Sequence, residues 1–357
     1  MDIGKQNRMK TVIVTGGCGF IGSHFIEILI ERGYRVINID ALTYAGDPIN
    51  TRGFADKDNY TFVHVDIGDS TLVSDILSKF HPHMVFNLAA ESHVDRSIDN
   101  ATPFLTTNII AVHSLLDSCL THWRKLTDAQ KAEFLFVQMS TDEVYGSISE
   151  GMFTEESNYA PNSPYAASKA AGDHLTRSYR VTYGLPTAIV HASNTYGPRQ
   201  FPEKLIPHMI ASALAGRQLP VYGAGDQVRD WMYVGDVARG LEHVVAQGKA
   251  EGIYNFAGGQ ERQNIDTVKT ICVILDKLVP KQESYAESIV HVTDRPGHDA
   301  RYAMSSENVG HVFGWKPETT FEEGLEKTVR WYIENGSWMD YIRNRGYSIQ
   351  RIGGAKT

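Results

Sequence analysis

The sequence has few cysteines, no long apolar run and no excess of basic residues. Its 357 residues include only three cysteines, Cys18, Cys119 and Cys272, which lie far apart in the chain. This odd number and wide spacing match neither a disulfide framework nor a metal-binding pattern. We therefore predict no metal site and expect the thiols to be packing residues in a reducing compartment.

These shortages also exclude several classes of partner. No apolar run approaches the roughly 20 residues that a membrane-spanning helix needs, and residues 1–8 lack the apolar core of a secretion signal. The net charge is -8 and no basic block offsets it, which argues against nucleic acid as a partner. We therefore expect a cytoplasmic protein that binds neither a membrane nor nucleic acid.

A glycine-rich turn follows the first apolar segment. Residues 11–15 predict a short strand, and Gly16, Gly19 and Gly22 lie between it and a helix that runs to Arg32. Glycines in a strand–turn–helix unit let backbone N–H groups approach a pyrophosphate at the helix N-terminus. The next strand ends in Asp40, whose carboxylate suits the ribose hydroxyls of NAD and repels the 2′-phosphate of NADP.

The same strand–helix rhythm continues through the first half of the chain. It predicts a Rossmann-type, doubly wound parallel α/β sheet with helices on both faces. The further predicted strands are 61–66, 84–88, 134–139 and 187–191, and the predicted helices are 70–80, 104–123 with a polar continuation over 125–133, and 165–183.

Prolines interrupt this rhythm after residue 197. We expect an NAD-binding domain and a smaller C-terminal substrate-binding lobe, with loose termini at 1–8 and 346–357. The domain comprises 9–197 and 231–258, and the lobe comprises 198–230 and 259–345.

Two pairs of reactive side chains follow the fifth predicted strand. Lys169 lies one helical turn after Tyr165, where its charge can stabilise a phenolate that takes a proton from a sugar hydroxyl. Asp142 and Glu143 lie upstream, beside Thr141. Hydride chemistry at an alcohol needs only the Tyr/Lys pair, whereas two neighbouring carboxyls with different protonation states suit the elimination of water. Two solvated acids that cap the next element would give the same sequence.

Five blocks of the chain resemble the nucleotide-sugar 4,6-dehydratases of the extended short-chain dehydrogenase/reductase family. The resemblance covers the chain from about Thr11 to about Trp331. The blocks are AESHVDRS at 90–97, STDEVYG at 140–146, FPEKLIP at 201–207, YGAGDQVRDW at 222–231 and DRPGHD at 294–299.

The resemblance implies a three-step reaction that is redox-neutral overall. Tyr165 removes the C4 hydroxyl proton while the C4 hydride passes to NAD⁺, and Thr141 hydrogen-bonds the C4 oxygen. Glu143 then acts as base at C5, and Asp142 protonates the departing C6 hydroxyl. Return of the hydride to C6 gives a 4-keto-6-deoxy sugar nucleotide, and dTDP-glucose is the first substrate suggested.

The resemblance also assigns binding residues. Those for NAD, in addition to Tyr165 and Lys169, are Gly16, Gly19, Phe20, Ile21, Gly22, Asp40, Thr43, Asp66, Ile67, Leu88, Ala89, Ala90 and Thr107. Those for the nucleotide-diphosphate sugar, in addition to Thr141, are Ser92, Asn194, Lys204, Leu205, Pro220, Tyr222, Arg229, Asn264, Arg295 and His298. Helices around 104–123 and 165–183 are expected to form an intermolecular four-helix bundle in a homodimer.

Several alternatives remain open at this point. The substrate of a dehydratase can be a UDP-, CDP- or GDP-linked hexose, or a UDP-N-acetylhexosamine that undergoes 4,6- or 5,6-elimination. A nucleotide-sugar 4-epimerase needs the Tyr/Lys pair but not Asp142 and Glu143. A non-enzymatic NAD-binding redox sensor predicts the loss of these reactive residues, and all of them are present.

Overall fold

The centre of the protein is a seven-stranded parallel sheet. The structure, a computed structural model, describes residues 9–247, 251–294 and 296–345. The strands are β1 (Thr11–Thr15), β2 (Arg35–Asp40), β3 (Tyr60–His64), β4 (Met84–Asn87), β5 (Leu135–Thr141), β6 (Thr187–Ala192) and β10 (Gly252–Phe256). Their order across the sheet is β10-β6-β5-β4-β1-β2-β3, and every pair is parallel. The predicted doubly wound α/β fold is confirmed.

Helices cover both faces of this sheet. In β1, Val12 and Val14 belong to one apolar core, while Ile13 belongs to another on the opposite face, as alternation along a strand requires. Every residue of β1, β4, β5 and β6 is buried, which is typical of a parallel sheet between two helical layers. The helices of this half are α1 (Phe20–Glu31), α2 (Ser70–Phe80), α3 (Val94–Asp99), α4 (Thr102–Leu105), α5 (Val112–Arg124), α6 (Asp128–Glu133) and α7 (Pro164–Tyr183).

The predicted helix over 104–123 is present, but its polar continuation is not. A π-helical segment, Thr106–Ala111, joins α4 to α5 without a break. The predicted continuation over 125–133 is wrong, because Thr127 forms a capping box with Gln130 and begins a separate helix, α6. By length and composition alone, Thr102–Arg124 could cross a membrane, yet half of its most apolar window is buried inside the protein.

The second half of the chain adds two small sheets and six helices among the described residues. The strands are β7 (Asn194–Tyr196), β8 (Leu219–Tyr222), β9 (Val228–Tyr233), β11 (Glu261–Gln263) and β12 (Ile289–Val292), arranged as β11-β9-β7 and as the parallel pair β12-β8. The helices are α8 (Leu205–Leu214), α9 (Val234–Gln247), α10 (Asn264–Leu278), α11 (Glu307–Phe313), α12 (Phe321–Glu334) and α13 (Gly336–Asn344). A core that includes Ile206, Ile271 and Leu325 joins α8, α10 and α12. The predicted domain boundaries stay a prediction.

Candidate active site

Two connected cavities open at the carboxyl ends of the central strands, where parallel sheets bind their ligands. The first, of about 220 Å³, lies over the glycine-rich turn, and we call it the dinucleotide cavity. The second, of about 340 Å³, lies between the sheet and the C-terminal elements, and we call it the substrate cavity. They share the lining residues Phe20, Ile21, Leu88, Ala90, Ser92, Met139, Gln200, Glu203 and Lys204.

The glycine-rich turn leaves no room for a side chain at Gly16 or at Gly22. Gly16 has φ +68°, and a Cβ there would lie 2.7 Å from the backbone nitrogen of Ala89. A Cβ on Gly22 would lie 2.4 Å from the carbonyl oxygen of Gly16. Helix α1 begins at Phe20, and its preceding residue, Gly19, supplies no side-chain cap. The positive end of α1 therefore faces a cradle bounded by backbone, which fits a pyrophosphate.

Asp40 lines the dinucleotide cavity at the end of β2, and two backbone groups hold its carboxylate in place. Its carboxylate accepts hydrogen bonds from the backbone N–H groups of Cys18, at 2.9 Å, and Leu42, at 2.8 Å. Burial raises the pKa of this carboxyl, and the two backbone donors oppose that rise. The remaining predicted cofactor residues line the same cavity: Gly16, Gly19, Phe20, Ile21, Gly22, Thr43, Asp66, Ile67, Leu88, Ala89, Ala90 and Thr107.

Tyr165 and Lys169 lie on one face of α7 and line the substrate cavity. Ser163 caps the helix, accepting a hydrogen bond from the N–H of Ala166, so Tyr165 lies in its first turn.

Burial lowers the pKa of Lys169 to about 8, and nearby Asp173 opposes that effect. The pKa of Tyr165 is raised, first by burial and then by the negative charge of Glu143. The protein alone therefore keeps Tyr165 protonated, and a further positive charge is needed to form its phenolate.

A tight turn at the end of β5 explains how two neighbouring acids reach one cavity. Adjacent residues of a strand point to opposite faces, but β5 ends at Thr141 and a 3₁₀ turn, Asp142–Tyr145, follows at once. The Thr141 hydroxyl accepts a hydrogen bond from the N–H of Glu143 at 3.3 Å and donates one to Asp142 Oδ1 at 3.2 Å. Asp142 and Glu143 consequently both line the substrate cavity.

The two acids have different surroundings. Asp142 is only 1% exposed, whereas Glu143 is partly exposed. Burial raises the pKa of Asp142 well above its usual range, and the negative charges of Glu143 and Asp230 raise it further. Its Oδ2 has no hydrogen-bond partner within the described ranges. Surroundings that favour the neutral form of Asp142, beside a partly exposed Glu143, are the arrangement that an acid and a base need.

The predicted substrate residues converge on the substrate cavity. All those that the structure describes line it: Ser92, Thr141, Asn194, Lys204, Leu205, Pro220, Tyr222, Arg229, Asn264 and His298. Arg295 lies outside the described residues. Contacts among these side chains tie the two halves of the chain together. Lys204 donates to the carbonyl oxygen of Ser92, and the Tyr222 hydroxyl donates to Asp95 Oδ2 at 3.0 Å.

Arg229 is held more firmly than a flexible surface arginine. Its guanidinium donates to the carbonyl oxygens of Val228, at 2.8 Å, and Asp299, at 2.9 Å. It also lies over the ring of Tyr302, 4.3 Å from the ring centroid. A guanidinium fixed in this way is pre-oriented at the cavity wall, and its role in diphosphate binding stays a prediction.

The sequence motifs gave no role to two polar residues of the site, Glu203 and Asp230. Glu203 lines both cavities, and its buried carboxylate accepts a hydrogen bond from the Tyr44 hydroxyl at 2.8 Å. Asp230 is buried close enough to Asp142 to raise the pKa of that acid. Both lie inside two of the sequence blocks, 201–207 and 222–231, so the blocks marked them but gave no role.

Comparisons with known proteins agree with this geometry. The model of the GDP-mannose 4,6 dehydratase family matches residues 13–328. The dTDP-glucose 4,6-dehydratase 1 of Escherichia coli K12 is 48% identical over 347 residues, which cover 94% of this chain and 96% of that protein.

Two solved structures have the same fold. The dTDP-glucose 4,6-dehydratase of Streptomyces venezuelae, solved with NAD bound, is 40% identical with a TM-score of 0.84, over 93% of this chain and 99% of that one. That of Bacillus anthracis, in complex with NAD, is 39% identical with a TM-score of 0.82 and the same coverage. These three relatives are all dTDP-glucose 4,6-dehydratases. The chain belongs to the nucleotide-sugar 4,6-dehydratase family.

Proposed function

We propose that this protein catalyses the NAD-dependent dehydration of dTDP-glucose to the 4-keto-6-deoxy sugar nucleotide. One observation carries the proposal. Asp142 and Glu143 line the same cavity as Tyr165 and Lys169, which supports the proposal that the groups for hydride chemistry and for elimination act on one bound sugar. The cradle at Gly16 and Gly22 and the carboxylate of Asp40 fit NAD, which relatives of the same fold bind.

The first step takes place at C4 of the glucose. NAD⁺ held by the glycine cradle and Asp40 would supply a positive charge near the substrate and an acceptor for the C4 hydride, which it would later give back at C6. Tyr165 accepts the proton of the C4 hydroxyl, with Lys169 stabilising its phenolate. The Thr141 hydroxyl, which donates to Asp142 Oδ1 in the absence of substrate, turns to donate a hydrogen bond to the C4 oxygen. The resulting 4-keto group makes the C5 proton acidic.

The two acids then divide the elimination between them. Glu143, the more accessible carboxylate, takes the C5 proton, and the C5–H electron pair forms the C5–C6 double bond. Asp142 gives its proton to the C6 hydroxyl, which leaves as water. Burial and its acidic neighbours raise the pKa of Asp142, which favours the protonated form that this step requires. After the hydride returns to C6, a proton returns to C5 from Glu143.

The test uses purified protein, dTDP-glucose and no added reductant. Mass spectrometry is expected to show a product lighter than the substrate by one water, together with the absorbance of a 4-keto sugar in alkali. A parallel panel of UDP-, CDP- and GDP-glucose and UDP-N-acetylglucosamine identifies the preferred nucleotide and hexose. Interconversion of glucose and galactose without loss of water would favour an epimerase. Loss of water from none of these substrates would overturn the proposal.

We also propose that the protein is a cytoplasmic homodimer. The expected interface lies on the helices Thr102–Arg124 and Pro164–Tyr183, which leave large apolar side chains exposed: Ile110 is 62% exposed and Val181 67%. Two copies that pair these helices would bury this surface in a four-helix bundle. Sedimentation velocity on the wild type and on the double variant Ile110→Asp/Val181→Asp tests this. A dimer that becomes a folded monomer supports the proposal, and a wild-type monomer at micromolar concentration contradicts it.

A further inference from the structure

A buried polar cluster lies beside the 3₁₀ turn Asp142–Tyr145, which we call the acid turn, and outside both cavities. We call it the brace and define it as Tyr145, Asp173, His191 and Asn255. All four residues are buried, and His191 and Asn255 are 0% exposed. Each comes from a different element, namely the 3₁₀ turn after β5, helix α7, strand β6 and strand β10. Buried polar groups at such a junction specify how the elements fit together through the hydrogen bonds that they make. Two atoms of the cluster, Asp173 Oδ1 and Asn255 Nδ2, have no partner among the described residues.

One end of the brace holds the acid turn. The Tyr145 hydroxyl donates to Asn255 Oδ1 at 3.0 Å and lies 3.1 Å from His191 Nδ1. Tyr145 is the last residue of the turn that begins at Asp142, and its ring stacks on Phe153 with centroids 5.2 Å apart. The position of the turn therefore depends on where this hydroxyl is anchored.

The other end of the brace holds α7. Asp173 lies one helical turn after Lys169, and its Oδ2 accepts a hydrogen bond from the Ser140 hydroxyl at 2.6 Å. The same oxygen lies 3.3 Å from His191 Nε2. Lys169 donates to the carbonyl oxygen of Met139 at 2.6 Å, so two successive residues of β5 are bound to α7 just before Thr141. His191 thus bridges the helix of the Tyr/Lys pair and the turn of the two acids.

We propose that the brace sets the position of Asp142 and Glu143 relative to Tyr165 and Lys169, so that elimination follows hydride removal on a sugar that stays in place. This inference rests on the proposed function. The four brace residues do not line either cavity, and they act through the groups that do. They are positioning residues. Removal of the Tyr145 hydroxyl or of its acceptor on Asn255 affects elimination more than hydride removal, because Lys169 keeps its own bond to β5 and its neighbour Asp173.

The decisive variant is Tyr145→Phe, which keeps the ring and removes its link to His191 and Asn255. With dTDP-glucose in a single turnover, we expect hydride removal within about twofold of wild type. Keto-product formation is expected to fall by about tenfold or more, since an error near 1 Å in catalytic geometry can cost about 100-fold. NADH then accumulates transiently and is seen by its near-ultraviolet absorbance. Hydrogen-exchange mass spectrometry without substrate is expected to show faster exchange in residues 141–146.

A matched control is Tyr285→Phe, which removes the hydroxyl of another buried tyrosine, one that donates to the carbonyl oxygen of Val279. It is expected to leave both rates and the exchange of residues 141–146 unchanged. If Tyr145→Phe does not fold, Asn255→Ala removes the same acceptor and is expected to act in the same direction. Equal loss of both rates, or unchanged rates and exchange, would overturn the inference. The hydrogen-exchange measurement needs no substrate, so it tests the brace even if the protein does not dehydrate dTDP-glucose. Failure of the proposed function would be seen instead as the absence of keto product from the wild type.

Discussion

Lys169 Nζ lies 2.6 Å from the carbonyl oxygen of Met139, and this contact joins α7 to the strand that ends in the acid turn. The ammonium is buried, which lowers its pKa to about 8. A lysine with this pKa loses its charge slightly above neutral pH, and with it the ability to stabilise the phenolate of Tyr165. The site is therefore sensitive to alkaline pH at its first chemical step.

We predict that hydride removal falls as pH rises through about 8 in the wild type. In Lys169→Arg, whose guanidinium stays charged, that fall in rate is expected to be absent up to pH about 10. The rate of this variant at pH 7 is expected to be at least about tenfold below that of the wild type, because the planar guanidinium differs in shape from the lysine ammonium. The measurement is single-turnover NADH formation from dTDP-glucose as a function of pH. The same alkaline fall in Lys169→Arg would assign it to another group.

Tyr165→Phe is predicted to block this first step almost completely. Removal of the hydroxyl leaves no acceptor for the C4 proton, and general base catalysis typically contributes about 100-fold to 10,000-fold. We expect no NADH signal during mixing with dTDP-glucose, while affinity for the nucleotide sugar, measured by calorimetry, changes by less than about threefold because the rest of the cavity is intact. Normal NADH formation would show that Tyr165 is not the base.

Asp142→Asn and Glu143→Gln are predicted to stop the reaction after hydride removal. Each amide keeps the shape of its acid but cannot exchange the required proton, so product formation is expected to fall by at least about 100-fold. NADH should form and persist in both variants. Incubation in deuterated water is expected to show no deuterium at C5 in Glu143→Gln, whereas Asp142→Asn allows some exchange there. Normal dehydration by either variant would contradict its assigned role.

Much of this site follows from local sequence. The strand, the glycines at 16, 19 and 22 and the acid at 40 are close in the chain, so their geometry is set by one βα unit and the next strand. The i, i+4 spacing of Tyr165 and Lys169 fixes their shared face in the same way.

Other features depend on contacts that no local pattern encodes. The 3₁₀ turn that directs Asp142 and Glu143 into one cavity depends on the Tyr145 hydroxyl and its partner Asn255, 110 positions away in the chain. The raised pKa of Asp142 depends first on its burial, then on Glu143, and also on Asp230, which lies on a strand of a different sheet. Such pairs form only when the sheets assemble. For that reason the motif identifies Asp142 as a candidate acid, but it does not predict the direction in which the pKa of Asp142 shifts.

His208 gives a prediction about stability. It is buried in α8, its Nδ1 lies 3.3 Å from the carbonyl oxygen of Pro202, and burial lowers its pKa to about 4. Because the unfolded chain takes up a proton near pH 6.5 and the folded protein does not until about pH 4, His208 reduces stability as the pH falls through this window. Lowering the pH from 7.5 to 5.5 should therefore increase the free energy of unfolding of His208→Gln by about 1 kcal/mol relative to that of the wild type. Urea unfolding of both proteins at the two pH values measures this difference, and an unchanged difference would mean that His208 already ionises in the folded state.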